Sequence, residues 1–179
     1  QPCSSAASDV YKRQAFGSPH VKTPNFDRLC AEGMTFTNHY SGSAVCAPTR
    51  CVLMTGLHTG HCRRRDNTAK ALTQELSKAN GRPLVFLEDS DVTVAEALHD
   101  AGYFTAGVGK WGLGNPGSAG VPEKQGFDYW YGYLDQVHAH DHFPDEIWDG
   151  GKMVAVPGNK NKKKETYIPY EQEKKALEL

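Results

Sequence analysis

The chain has 179 residues, with 20 basic against 21 acidic side chains, a net charge of −1 and 39% hydrophobic residues. That length suffices for one hydrophobic core, and the near-neutral balance without a basic patch excludes nucleic acid as the expected partner. No apolar run approaches a membrane span, and the odd count of five cysteines offers neither a disulfide framework nor a zinc spacing.

Taken in chain order, the first segment, Cys3-Ser4-Ser5-Ala6-Ala7-Ser8 through Arg13-Gln14, does not read as native protein. Residues 1–14 are therefore set apart as a non-native leader, and no signal peptide is visible. Thr23 is placed to cap a helix with Pro24 in its first turn, Phe26, Leu29 and Cys30 on one face, and Gly33 as its stop. Cys30 is expected to pack through that face. Residues 34–38 alternate apolar and polar side chains, which predicts a short strand. Residues 63–91, polar and containing Gly81-Arg82-Pro83, predict a loop-rich crossover. Thr93 and Glu96 form a capping box for a helix that runs to Ala101 and stops at Gly102. Residues 103–108 then predict a buried strand that delivers Gly109 and Lys110 at its C-terminal end, where ligand sites in open α/β sheets gather. Two apolar runs flanking Asp149-Gly150-Gly151 predict a hairpin. The Lys160-Asn161-Lys162-Lys163-Lys164 run reads as a solvated loop, and a helix is expected from Glu171 onward. No internal repeat is present. The alternation of elements predicts an α/β fold.

Cys46-Ala47-Pro48-Thr49-Arg50 carries the chemistry. Proline suits the first helical turn, where its missing N–H costs nothing, and Thr55-Gly56 supplies a stop. Cys46 would then lie where free N–H groups and the helix dipole favour an anion. Arg50, one turn along, returns to the same face with a permanent charge. The five residues alone fit equally a buried cysteine beside an ordinary helix start. Downstream, His138, His140, Asp141 and His142 approach the zinc-binding run of metallo-β-lactamase-like hydrolases, but one residue is missing before Asp141, and the register shift turns that side chain away.

Three ordered stretches resemble the sulfatases. The first is Thr23-Pro24-Asn25-Phe26-Asp27-Arg28-Leu29, then Ala31-Glu32-Gly33-Met34-Thr35-Phe36-Thr37-Asn38, then Cys46-Ala47-Pro48-Thr49-Arg50 to Thr55-Gly56. The second is Ala101-Gly102-Tyr103-Phe104-Thr105 with Gly109-Lys110-Trp111-Gly112-Leu113-Gly114. The third, Gly126-Phe127-Asp128-Tyr129-Trp130-Tyr131-Gly132-Tyr133-Leu134 with Gln136 and His138-Ala139-His140, is similar to the arylsulfatase branch.

The resemblance implies an alkaline-phosphatase-like α/β sandwich with a mostly parallel central sheet. It implies that residues 15–179 are the N-terminal part of a sulfatase domain, truncated at both ends. It also implies that Cys46 is oxidised by a formylglycine-generating enzyme to Cα-formylglycine, whose hydrate attacks the sulfur of a sulfate ester. Arg50 would hold that hydrate, and Lys110 would bind the sulfate; on residues alone, Lys110 fits a solvated lysine as well.

The commonest form of the second stretch is Gly-Lys-Trp-His-Leu-Gly, and here Gly112 stands in place of its histidine. His138 or His140 is a candidate for the missing imidazole, with His140 also a candidate substrate contact; a structural loop histidine is the other reading. A divalent metal, usually calcium, is expected in the family, held by carboxylate pairs that would fall before Phe16 and beyond Leu179, with Cys46 as formylglycine giving one further ligand. Asp89 with Asp91, and Asp66 with Asn67, lie in the crossover and are not taken as ligands. The expected substrate is a sulfated small molecule or glycan, the expected location periplasmic or secreted, and the isolated fragment is expected to be inactive. The alternatives are phosphomonoester or phosphonate ester hydrolysis in the same superfamily, and a non-catalytic binding domain.

Overall fold

The computed structural model describes residues 17, 19–36, 38–67 and 85–179. The expected leader over 1–14, and Gly81-Arg82-Pro83 of the expected crossover, lie outside the described residues. In chain order the described elements are α1 (Pro24–Glu32), α2 (Cys46–Thr55), α3 (Val94–Asp100), β1 (Ala106–Lys110), β2 (Tyr129–Tyr133), β3 (Glu146–Asp149), β4 (Lys152–Ala155) and α4 (Ile168–Glu178). Short 3₁₀ turns at Pro122–Lys124 and His138–His140, and two turns joined across a kink at Lys160 and Asn161 within Pro157–Lys162, punctuate the second half. None of the described helices is long and apolar enough to cross a membrane.

The strands form one sheet in the order β1-β2-β3-β4. β1 runs parallel to β2, from Ala106 opposite Tyr129 to Lys110 opposite Tyr133. β2 pairs antiparallel with β3, and β3 with β4. The α/β class is as expected, and the four described strands form a mixed part of the sheet, one parallel pair followed by two antiparallel ones. The reason is local. Asp149 faces Lys152 across Gly150 and Gly151, whose φ angles of +53° and +92° are those a two-residue hairpin turn demands and glycine reaches without strain.

Pleating divides β2 between two cores. Trp130 joins Cys51, Cys62, Leu87, Trp111, Leu113, Val121, Leu134 and Trp148 on one face. Tyr131 and Tyr133 join Ile147, Val156 and Ile168 on the other. Cys51 brings α2 to the first face, and Ile168 brings α4, which packs on β1 and β2, to the second. The sheet is thus covered on both sides, as a strand with large side chains on both faces requires.

The capping box is fully formed. Thr93 Oγ1 accepts from Glu96 N at 3.2 Å, and Glu96 Oε2 accepts from Thr93 N at 2.6 Å. The same Thr93 hydroxyl donates to the Gln125 carbonyl at 2.7 Å, which ties α3 to the turn before β2. Thr93→Ala is therefore expected to lower unfolding stability by about 2 kcal/mol, a lost cap joined to a lost buried hydrogen bond. Thr93→Ser should retain most of it, and chemical denaturation of both variants measures the difference.

Five expectations are corrected. Residues 34–36 and 38 form no strand: alternation needs a neighbouring strand to pair with, and among the described residues none lies alongside. Met34 and Phe36 are instead exposed. α1 forms where expected, with Pro24 in its first turn, yet buries none of its residues; Phe26 and Leu29 are exposed and Cys30 is only half-buried. The Thr23 side chain makes no capping hydrogen bond; its hydroxyl donates instead to Asp27 Oδ1 at 3.1 Å. β1 begins at Ala106, with Tyr103 and Phe104 exposed before it, because parallel pairing starts only where Tyr129 lies alongside. The last helix starts at Ile168, since Pro169 suits its first turn.

Candidate active site

α2 presents Cys46 as its first residue. Val45 is extended before it, Thr49 N donates to Val45 O at 3.1 Å, and Gly56 ends the helix at φ +68°. The loop leading in is pinned by Thr49 Oγ1, which donates to Ser43 O at 2.7 Å. Cys46 is 5% exposed, and Arg50, one helical turn along, lies near enough for the two groups to interact electrostatically.

The expected cluster of free N–H groups is modified by a distant residue. Ala47 N donates to Asn67 Oδ1 at 2.8 Å. Asn67 thereby acts as a cap supplied from outside the helix, so that this N–H is not directed at an anion. Side chains also bring positive charge close to Cys46. Arg50 is pulled down to about 10 by burial, opposed by Cys46 and reinforced by the nearby charge of Arg64. It remains a cation at neutral pH. Arg64, 3% exposed, is also shifted down by burial, with Asp66 and Asp135 opposing.

Arg50 is held by the far ends of the parallel strand pair. Beyond β1, Trp111 N donates to Tyr133 O at 2.8 Å and Gly112 N to Leu134 O at 2.9 Å, continuing the pairing past the strand end. Trp111 is fixed by its indole N–H on Gly120 O at 2.7 Å and by edge contacts with Phe127 and Trp130. Its carbonyl accepts from Arg50 Nε. Arg50 Nη2 donates to Gln136 Oε1, two residues beyond Leu134.

Lys110, the last residue of β1, places Nζ 3.5 Å from His140 Nε2. Asp135 Oδ1 accepts from Val137 N at 2.7 Å and His138 N at 2.8 Å, which sets up the turn carrying His140. The His140 imidazole is pushed below the usual histidine value, mainly by the Lys110 ammonium, then by burial, His142 and Arg50. The neutral form is thereby favoured. Lys110→Met should remove the leading cause and move the His140 midpoint upward. An NMR titration of the imidazole C–H signals reads this, and an unmoved midpoint would show that the ammonium does not control the ring.

The structure thus brings Cys46, Arg50, Lys110 and His140 to one end of the parallel pair. His138 faces elsewhere: its ring stands edge-on to Tyr133 at 5.3 Å. His142 lies beside Tyr167. The three histidines diverge, and among the described residues no three His, Cys, Asp or Glu side chains form a metal-holding group. Cys51 and Cys62 are fully buried, the Cys62 thiol donating to Arg64 O at 3.3 Å, and burial pushes the Cys51 thiol up to about 11. Sequence reading assigned no role to Trp111, Gln136 or Arg64. The signals for Gln136 were its place in the third of the stretches that resemble the sulfatases and the empty side-chain position at Gly112, which calls for another group nearby.

The family model described as Sulfatase matches residues 5–167. The human N-acetylgalactosamine-6-sulfatase is 39% identical over 121 residues, covering 65% of this chain and 22% of that protein. The N-acetylgalactosamine-6-O-sulfatase of Bacteroides thetaiotaomicron is 37% identical over 153 residues, covering 80% of this chain and 27% of that protein. A solved structure described as in complex with its substrate D-glucosamine-2-N,6-O-disulfate superposes with a TM-score of 0.66 at 26% identity, covering 92% of this chain and 27% of that one. The chain therefore spans about a quarter of the length of the relatives it matches.

Proposed function

This chain belongs to the sulfatase family, and from that premise we propose that it carries the nucleophile and anion-binding residues of an enzyme hydrolysing sulfate esters of glycans. The observation that carries the reading is the Arg50 guanidinium, one helical turn from Cys46 and clamped by the Trp111 carbonyl and Gln136, with Lys110 at the adjoining strand end. Cys46, once converted to formylglycine, supplies a hydrated aldehyde as nucleophile.

The other roles belong to residues as they stand. Arg50 orients the group at position 46 and offsets negative charge. Lys110 contacts the sulfate and stabilises the charge that develops as the ester S–O bond breaks. His140, kept neutral, is suited to accept a proton in place of the imidazole absent at Gly112. The family's divalent cation requires several oxygen ligands. The described residues around Cys46 are mainly cationic and do not fit such a shell, so its carboxylates would come from outside them.

The names of the relatives support a 6-sulfated amino sugar as substrate class. The whole protein, produced with a formylglycine-generating enzyme, is expected to release inorganic sulfate from N-acetylgalactosamine 6-sulfate. Phosphate release from phosphomonoesters without any sulfatase activity would overturn this in favour of the superfamily alternative. The 179-residue chain alone should not turn over 4-nitrophenyl sulfate even with Cys46 converted. Turnover that a chelator abolishes and calcium restores would show that this chain holds its own metal.

A further inference from the structure

We propose that Gln136 is the positioning residue for Arg50, and that Gly112 and Gln136 form one coupled unit in which the glutamine occupies the space a side chain at position 112 would fill. The inference rests on the assignment of Arg50 to the reacting group, and concerns what holds that residue in place.

A guanidinium offers five N–H donors in one rigid plane, so two contacts on different nitrogens fix its orientation. Here Nε donates to the Trp111 carbonyl and Nη2 to Gln136 Oε1. Gln136 is 6% exposed, and removing its amide would leave the half-buried Arg50 without this acceptor. The amide also accepts without carrying charge. A carboxylate there would cancel the cation that the site needs for an anion.

Gly112 supplies the other half. A Cβ built on it would lie 2.7 Å from Arg50 Nη2 and 2.9 Å from Gln136 Oε1, closer than real Cβ atoms approach other groups. Its φ of +74° further disfavours a side chain. The two segments are joined by the hydrogen bond from Gly112 N to Leu134 O. A side chain at 112 and the Arg50–Gln136 contact therefore compete for one volume. The absence of a histidine at 112 and the presence of glutamine at 136 are a single structural choice.

The test is a double-mutant cycle in the whole enzyme with Gln136→Ala, Gly112→His and the pair together, read by kcat and KM on 4-nitrophenyl sulfate. Gln136→Ala is expected to lower kcat roughly 10- to 100-fold with little change in KM, the effect of a misdirected positioning group. Gly112→His should be far less damaging in the Gln136→Ala background than alone. The backbone cost of a non-glycine residue is common to both backgrounds and cancels. Equal damage in the two backgrounds would overturn the coupling. A second readout is independent of turnover: the ¹⁵N-edited NMR signals of the Arg50 side chain should broaden or shift on Gln136→Ala. Unchanged Arg50 signals together with unchanged kcat would overturn the positioning role. Should the wild-type enzyme hydrolyse no sulfate ester, the functional reading fails, while the Arg50 signals still decide whether Gln136 orients the guanidinium.

Discussion

Cys46→Ala in the whole protein is expected to abolish sulfate-ester hydrolysis, lowering kcat by roughly 10⁴-fold or more, as loss of a nucleophile does elsewhere. The fold should survive. Cys46 is buried at the first turn of α2, where alanine fills nearly the same space, and the clamp on Arg50 runs to Trp111 and Gln136 rather than through the thiol. An unchanged unfolding midpoint alongside lost turnover separates chemistry from stability. Mass analysis of the peptide containing Cys46 should show a loss of about 18 Da in the wild type, the thiol being replaced by a carbonyl. Cys46→Ser should also be inactive in a host whose modifying enzyme accepts only cysteine. Undiminished activity of Cys46→Ala would remove the nucleophile assignment.

The second large effect is expected from the cations. Lys110→Ala should depress kcat/KM by roughly 10²-fold or more, the scale for removing one preorganised electrostatic stabiliser. Arg50→Lys should not preserve activity. An ammonium has no planar donor set with which to bridge the Trp111 carbonyl and the Gln136 amide at once, and the shorter polar reach would leave one of these acceptors unmet. Near-normal kinetics for both variants would reduce Lys110 and Arg50 to scaffold. Lys110→Ala carries an additional consequence, because the ammonium is the first cause of the lowered His140 titration. Its pH–rate profile should shift in the same direction as the His140 midpoint, upward.

Local chemistry in the sequence accounts for much of this architecture. Cys46, Pro48 and Gly56 mark the start and stop of α2 because cap and proline preferences act within one turn. The approach of Arg50 to Cys46 follows from helical periodicity alone. The capping box at Thr93 and Glu96, and the glycine hairpin after Asp149, are equally short-range. Where the reading failed, a partner was needed that no local pattern names. Residues 34–38 alternate like a strand, but a strand is made by its neighbour, and α1 has an apolar face without a described surface to bury it against.

The chemical groups of the site, the helix that presents two of them and, through the ordered stretches, the family are therefore legible without coordinates. Tertiary structure alone decided how those groups are oriented. The hydrogen bonds that aim Arg50 reach residues 61 and 86 positions away, Asn67 caps Ala47 from 20 positions away, and Lys110 meets His140 across 30. At such separations the pairing is set by the register of β1 on β2 and by the packing of Trp111. Composition and periodicity encode which face a side chain occupies, not which remote acceptor waits there. That is why Gly112 read as a missing histidine until the fold placed Gln136 in the space beside it.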